Sequence, residues 1–456
     1  MLKRSNSRRA GNKKRNDRSR HPAPVARAPV DPTPADDASG ISSAEAEEQS
    51  RTSLRQAQHY RSVLKKANDL FLNGGPAVKV ALGIFDREWQ NIKACQAWAA
   101  ANWEDSREAA EVCRDFGLVG PHLLSLRVHP EERVKWLSPA LGATRKLGDR
   151  LAESALLGNL GLAYSGLGSY RQAVECHEES LAIMSGEGNC RREQNALINL
   201  GQAYYYLCEH RRAIGCYEKA LAIAREFGER SGTGYALSGL GNSCLAIGEY
   251  RVAVEYHEQS LAIARESSDP VAQGQSLGAL GLAYERLGQY GRAIEHHKRH
   301  LAIASEIGDR RGEGAALGNL GIAYHALGEY GRAIEFHTRH HAVARETGDR
   351  TGEANALGNL GMAHSSLGEY RLAMDCYARQ QAISLETGHR EGEGNALWNS
   401  SLVLYMLGYR QQAVALASQA LNIFEAVEDS AAATVRMHIA RWQCAGRPLG
   451  PARAGP

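Results

Sequence analysis

From Leu54 onward apolar residues recur at helical spacing. The run starts with Leu54, Ala57, Tyr60, Leu64, Ala67 and Phe71 and breaks at Asn73-Gly74-Gly75-Pro76. Beyond about residue 150 the pattern itself repeats with a period of forty residues. Leu157, Leu197, Leu237, Leu277, Leu317, Leu357 and Leu397 share one column. Gly161, Gly201, Gly241, Gly281, Gly321 and Gly361 form a second, with Ser401 in the last place, and Ala173 through Ala413 form a third. Within one unit, positions 157, 160, 161 and 164 predict a helix that stops at Gly168. Positions 170, 173, 174, 177 and 181 predict a second helix that stops near Gly188, with Gly308 and Gly348 as its equivalents. Each unit is thus a helical hairpin, and the small Gly161 and Ala173 columns suit a close crossing of its helices. A lone hairpin cannot bury both sides. The predicted fold is therefore all-α, a right-handed superhelical solenoid of seven to eight stacked hairpins.

Seven units fill residues 151–430, and residues 111–150 read as a degenerate eighth hairpin. Residues 51–110 form further helices. After the array, residues 431–446 carry Val435, Ile439 and Trp442 on one stripe, the pattern of a capping helix, followed by a flexible tail at 447–456. Residues 1–50 run from basic to Pro/Ala-rich to acidic with almost no aliphatic side chains. They are expected to be disordered.

Charge separates the head from the body. Residues 1–30 hold ten Lys or Arg against the single acid Asp17, so they carry +9 and, the whole chain being +3, the rest carries −6. A basic body that grips a phosphate backbone is excluded, and nucleic acid stays an option only through the head. The nine cysteines are odd in number and never spaced CxxC, which fits reduced thiols used as small apolar fillers. No run of apolar residues reaches membrane-spanning length and no secretory signal is seen, so a cytoplasmic location is expected.

The columns resemble the tetratricopeptide repeat, whose signature is met by Leu317, Leu320-Gly321, Tyr324 and Ala333. Two positions depart from it, with His337 where the family prefers an aromatic and His340 where it prefers alanine. The forty-residue period is similar to that of the LGN-type adaptors and kinesin light chains, whose second helix is extended. Residues 70–113 resemble the helical segment that precedes the repeats in bacterial STAND-type signalling ATPases. The nucleotide module itself is absent, since no GxxxxGK[ST] occurs.

Two stretches look like chemistry. Gly312, Gly314, Gly318 and Gly321 mimic a dinucleotide loop, but Gly352, Gly358 and Gly361 recur one period later and no strand precedes either set. His296 with His300, and His337 with His341, have the i, i+4 spacing of metal ligands without a third ligand placed by sequence. His297 and His337 share a column with His177, His257, Tyr217 and Tyr377, which reads as half-buried packing with a polar tip. No triad, carboxylate dyad or HExxH is present, so no catalysis, cofactor or metal is expected.

A helical wheel places positions 155, 159, 162 and 166 of the first helix on the inner wall of the superhelix. There the chain carries Asn159, Asn195, Asn199, Asn319, Asn355, Asn359, Asn395 and Asn399, with Gln202, Tyr206, Asn242 and Arg286 on the same wall and Tyr205, Trp398 and Tyr405 on or beside it. Each carboxamide donates and accepts, as clamping the main chain of an extended peptide requires. Gly239 and Ala279 interrupt this ladder and divide it into two subsites. The expected function is a non-catalytic adaptor that binds a peptide or protein segment in its concave groove. Bacterial signalling and a separate signalling ATPase as partner are what the resemblance implies.

Overall fold

The structure, a computed structural model, describes residues 43–187 and 190–444. The chain divides after Thr52 into two separately compact units, and the first contributes only the exposed leading turns of α1, Ser43–Leu72. This helix starts well before Leu54 and inside the stretch expected to be disordered. Ser43-Ala-Glu-Ala-Glu-Glu is rich in strong helix formers, with Glu45 in the first turn. The rest of the head and the 447–456 tail lie outside the described residues.

In the second unit α2 (Pro76–Asn102), α3 (Arg107–Leu118), the short α4 (Pro121–Arg127) and α5 (Pro130–Leu147) precede the array. The degenerate hairpin is α3 packed on α5, with α4 inserted between them. Their core is aromatic, since Phe85 stacks on Trp89, Trp89 on Trp136, and Trp136 meets Phe116 edge-on.

Seven hairpins follow: α6 (Arg150–Gly166) with α7 (Tyr170–Glu187), α8 (Cys190–Tyr206) with α9 (His210–Glu226), α10 (Arg230–Ala246) with α11 (Tyr250–Glu266), and α12 (Pro270–Arg286) with α13 (Tyr290–Ile307). Then come α14 (Arg310–Ala326) with α15 (Tyr330–Thr347), α16 (Arg350–Ser366) with α17 (Tyr370–Thr387), and α18 (Arg390–Met406) with α19 (Arg410–Ala426). The last element is α20, Ala431–Cys444. All described secondary structure is helical. Local chemistry fixes the ends. Asp149, Asp269, Asp309 and Asp349 cap first helices by accepting from the N–H three residues on, at 2.8–3.0 Å. Gly308, Gly348 and Gly388 end second helices in the left-handed region.

From α5 to α20 every helix packs on the next, and successive first helices of the array also touch one another, whereas contact between successive second helices is marginal at most. The first helices therefore run closest together. This makes the fold a solenoid whose inner wall is built from α6, α8, α10, α12, α14, α16 and α18, as the helical wheel requires.

Candidate functional site

The glycine column explains the histidines. A Cβ on Gly161, Gly201, Gly241, Gly281, Gly321 or Gly361 would come under 3.0 Å from the ring of His177, Tyr217, His257, His297, His337 or Tyr377 respectively. Each ring lies flat in a slot that the missing side chain leaves in the facing helix. In the last unit Ser401 replaces the glycine, and Ala417 replaces the ring. The expectation of half-buried rings is corrected. His177, His257, His297 and His337 are at most 1% exposed, because the slot encloses the ring edge as well as its faces. Both ring nitrogens of His177 and His257 lack a hydrogen-bond partner. Burial pushes His177 and His257 down to about 4, and burial with His340 and His325 pushes His337 to about 3. His297 differs, with Nε2 at 3.2 Å from the Glu285 carboxylate.

The i, i+4 pairs do not converge on an ion. His296 stacks on Tyr284, His300 lies over Gly278, His337 fills its slot and His341 faces Glu353. Among the described residues no group of three His, Cys, Asp or Glu is placed to hold a metal. Nor is there a phosphate loop at Gly312 to Gly321, which lies inside the continuous helix α14.

What the fold brings together is amides. Asn319 of α14, Asn355 and Asn359 of α16, and Asn395 and Asn399 of α18 line one cavity of about 540 Å³ on the inner wall. None of the five has a hydrogen-bond partner among the described residues, so their donors and acceptors face solvent. Ile322 and Met362 supply apolar surface between them, and His340 and Gln380 reach the cavity from the second helices. A second cavity of about 480 Å³ continues from it through Ala315, His340 and Asn355 toward Arg310, Arg311 and Thr351 at the helix starts. Sequence reasoning missed Ile322 and Met362. Their signal was in the column of position 162, which is apolar at Leu162, Leu282, Ile322, Met362 and Leu402 and polar only at Gln202 and Asn242.

The tetratricopeptide repeat family models match residues 192–266, 272–346 and 313–380, and residues 155–184. The chain carries tetratricopeptide repeats. Solved structures agree in fold. The apo form of the quorum sensor NprR from B. thuringiensis is 14% identical, covers 79% of this chain and 98% of its own, and has a TM-score of 0.56. Aspartyl phosphate phosphatase F from Bacillus subtilis is 14% identical over 80% of this chain and 94% of its own, TM-score 0.53. A STAND signal-transduction ATPase with a tetratricopeptide repeat sensor from Pyrococcus horikoshii is 18% identical over 76% of this chain, TM-score 0.52, and this chain spans 55% of that ATPase. A search of curated proteins finds no match.

The other wall residues are dispersed along the tetratricopeptide array. Asn159 is engaged in a seam between hairpins, donating to the Gly117 carbonyl at 3.4 Å beside Trp136 and Leu137. Asn195, Asn199 and Gln202 of α8, and Asn242 of α10, stay on the inner side with no side-chain hydrogen bond among the described residues and outside the amide cavity. Tyr206 stacks on Tyr170 at 4.9 Å and touches Tyr205, and Arg286 is exposed with no ion pair among the described residues. At the interruption of the ladder Tyr235, Ser238 and Ser276 line a separate pocket of about 70 Å³. Trp398 and Tyr405 are corrected as groove residues, because Trp442 of α20 stacks on both, at 5.8 and 4.5 Å. Among the described residues no helix is long and apolar enough to cross a membrane.

Proposed function

We propose that the inner wall from α14 to α18 binds an extended polypeptide segment, and that the protein is a non-catalytic, cytoplasmic adaptor in signalling. One observation carries this reading: Asn319, Asn355, Asn359, Asn395 and Asn399 converge on a single cavity with their hydrogen bonds unmade. Carboxamides spaced along parallel helices match the alternating N–H and C=O groups of an extended main chain whatever its side chains. At a net ~0.5–1.5 kcal/mol each, five such bonds give roughly 3–8 kcal/mol before association costs. Covering Ile322 and Met362 adds apolar burial, so affinity in the micromolar range follows rather than nanomolar. The likeness to the quorum sensor NprR supports the architecture of such a groove. A separate signalling ATPase is the partner we favour for the adaptor. Contact of nucleic acid with the basic head falls outside the described residues.

The test is panning of a random dodecapeptide library against the full chain. Enriched peptides should bind the wild type and lose about ten-fold or more in affinity to N355A/N359A, the loss of one to two hydrogen bonds. Undiminished binding to a folded double variant would remove the reading.

A further inference from the structure

The two side chains that enter the amide cavity from the second helices do so through gaps in the first. A Cβ on Gly358 would lie 2.8–3.0 Å from the atoms of the Gln380 carboxamide, which rests flat against that glycine. A Cβ on Gly318 would lie 3.2 Å from His340 Nδ1. A side chain at either glycine would crowd the group that lies over it. At the same place in other units stand Ser180, Ala220, Ser260 and Ala420, which are too short to pass. His300, over Gly278, is bulky but lines neither of the two joined cavities.

Both arrivals are unsatisfied. Gln380 is 5% exposed and its Oε1 has no partner; Nδ1 of His340 is likewise buried without one. An orphaned buried polar atom is a cost to folding, and alanine or serine at either position would avoid that cost. We infer that His340 and Gln380 form a side-chain reader in the floor of the groove, which recognises an uncharged hydrogen-bonding side chain, a carboxamide or hydroxyl, on the bound peptide. The inference rests on the peptide-binding reading above.

Charge decides the class. The cavity over Gln380 is lined by no acid, so a lysine or arginine of the ligand would lose its hydration without a counter-charge. A carboxylate would likewise lose its hydration in a cavity whose lining holds no charged side chain. Burial lowers His340 despite the opposing pull of Asp349, with His341 adding to the drop, so the imidazole supplies no cation to hold an anion, and Arg310 and Arg311 line the adjoining cavity rather than the one over Gln380. A neutral amide or hydroxyl can both donate to and accept from the Gln380 carboxamide and the imidazole at no such cost.

The same dodecapeptide library, panned on the full-length wild type, on H340S and on Q380S, tests this. Serine already occupies the column at Ser180 and Ser260, and alanine at Ala220 and Ala420, so H340A and Q380A serve if either serine variant fails to fold. Wild-type selection is expected to concentrate Asn, Gln, Ser or Thr at one position of the bound peptides. Both variants should lose that preference by about ten-fold, the worth of one good hydrogen bond, while still retaining the library. A preference that survives in both variants, or wild-type peptides that concentrate acidic, basic or only aliphatic residues there, overturns the inference. Failure of the underlying reading looks different: the library is then not retained at all, or is retained equally by N355A/N359A.

Discussion

At the scale of the residue, the array is organised by pairs whose volumes trade across a helix crossing. Glycine faces a ring six times, and where serine enters at Ser401 the ring is replaced by Ala417. The second crossing column trades volume only in part, with Gly318 against His340 and Trp398 in line with Ala420, whereas Gly158, in line with Ser180, meets open space. Gly241→Ala tests which effect dominates. In an exposed helix this change gains about 1 kcal/mol. Here the new Cβ meets Nε2 of the fully buried His257 at 2.5 Å, and a ring held on all sides cannot yield. Overpacking of about 1–3 kcal/mol should win, so the variant loses stability in urea denaturation. H257A alone leaves a cavity and also destabilises. Combining H257A with G241S recreates the Ser401–Ala417 pair, and the two costs should fail to add by 1 kcal/mol or more. Additive costs would contradict the volume exchange. The glycine column was legible in the sequence as a close crossing, but the depth of the ring was not. His and Tyr alternate like a polar-tipped surface position, and the slot that encloses them belongs to two helices at once.

At the scale of the element, the wheel of the first helix was enough to place the asparagines on the inner wall, since successive first helices touch and so face inward. It could not say which of them share a cavity, because that depends on how far neighbouring hairpins rotate. Asn159 was lost to a seam for this reason, and Ile322 and Met362 were gained. Nor could it show that another helix lies over Trp398 and Tyr405. Val435, Ile439 and Trp442 of α20 are all buried in one cluster with side chains of α18 and α19. Trp442→Ala should cost about 3–5 kcal/mol at the last interface. Because each hairpin leans only on its neighbours, the loss should stay local. Hydrogen exchange is expected to accelerate in α18 to α20 and remain unchanged in α6 to α9. Uniform acceleration along the chain would show that the array melts as one body.

At the scale of the whole molecule, the buried histidines tie the solenoid to pH. His177, His257 and His337 occur in every second unit, and burial holds their folded values at about 4, 4 and 3 against an ordinary 6.5. The sign follows from which state takes up protons. Above pH 6.5 both folded and unfolded chains leave these rings neutral, and they cost nothing. As the pH falls below 6.5 the unfolded chain binds protons that the folded chain refuses, so stability declines until the folded values are reached. Each histidine contributes about 1.4 kcal/mol per pH unit within that window. His296, His300, His325, His340 and His341 are shifted in the same direction by burial and add to the slope. The thermal midpoint should therefore drop steadily from pH 6.5 to about 4. Carboxylates contribute mainly at the lower end, and equally in any variant that leaves them in place. Tyrosine already sits in the same slots at Tyr217 and Tyr377, over Gly201 and Gly361, so H177Y/H257Y/H337Y keeps the packing and removes three of the protonation sites. The triple variant should show a clearly flatter midpoint between pH 6.5 and 4 than the wild type. Parallel curves for the two proteins would mean that the rings are solvated in the native state and that the glycine slots do not seal them.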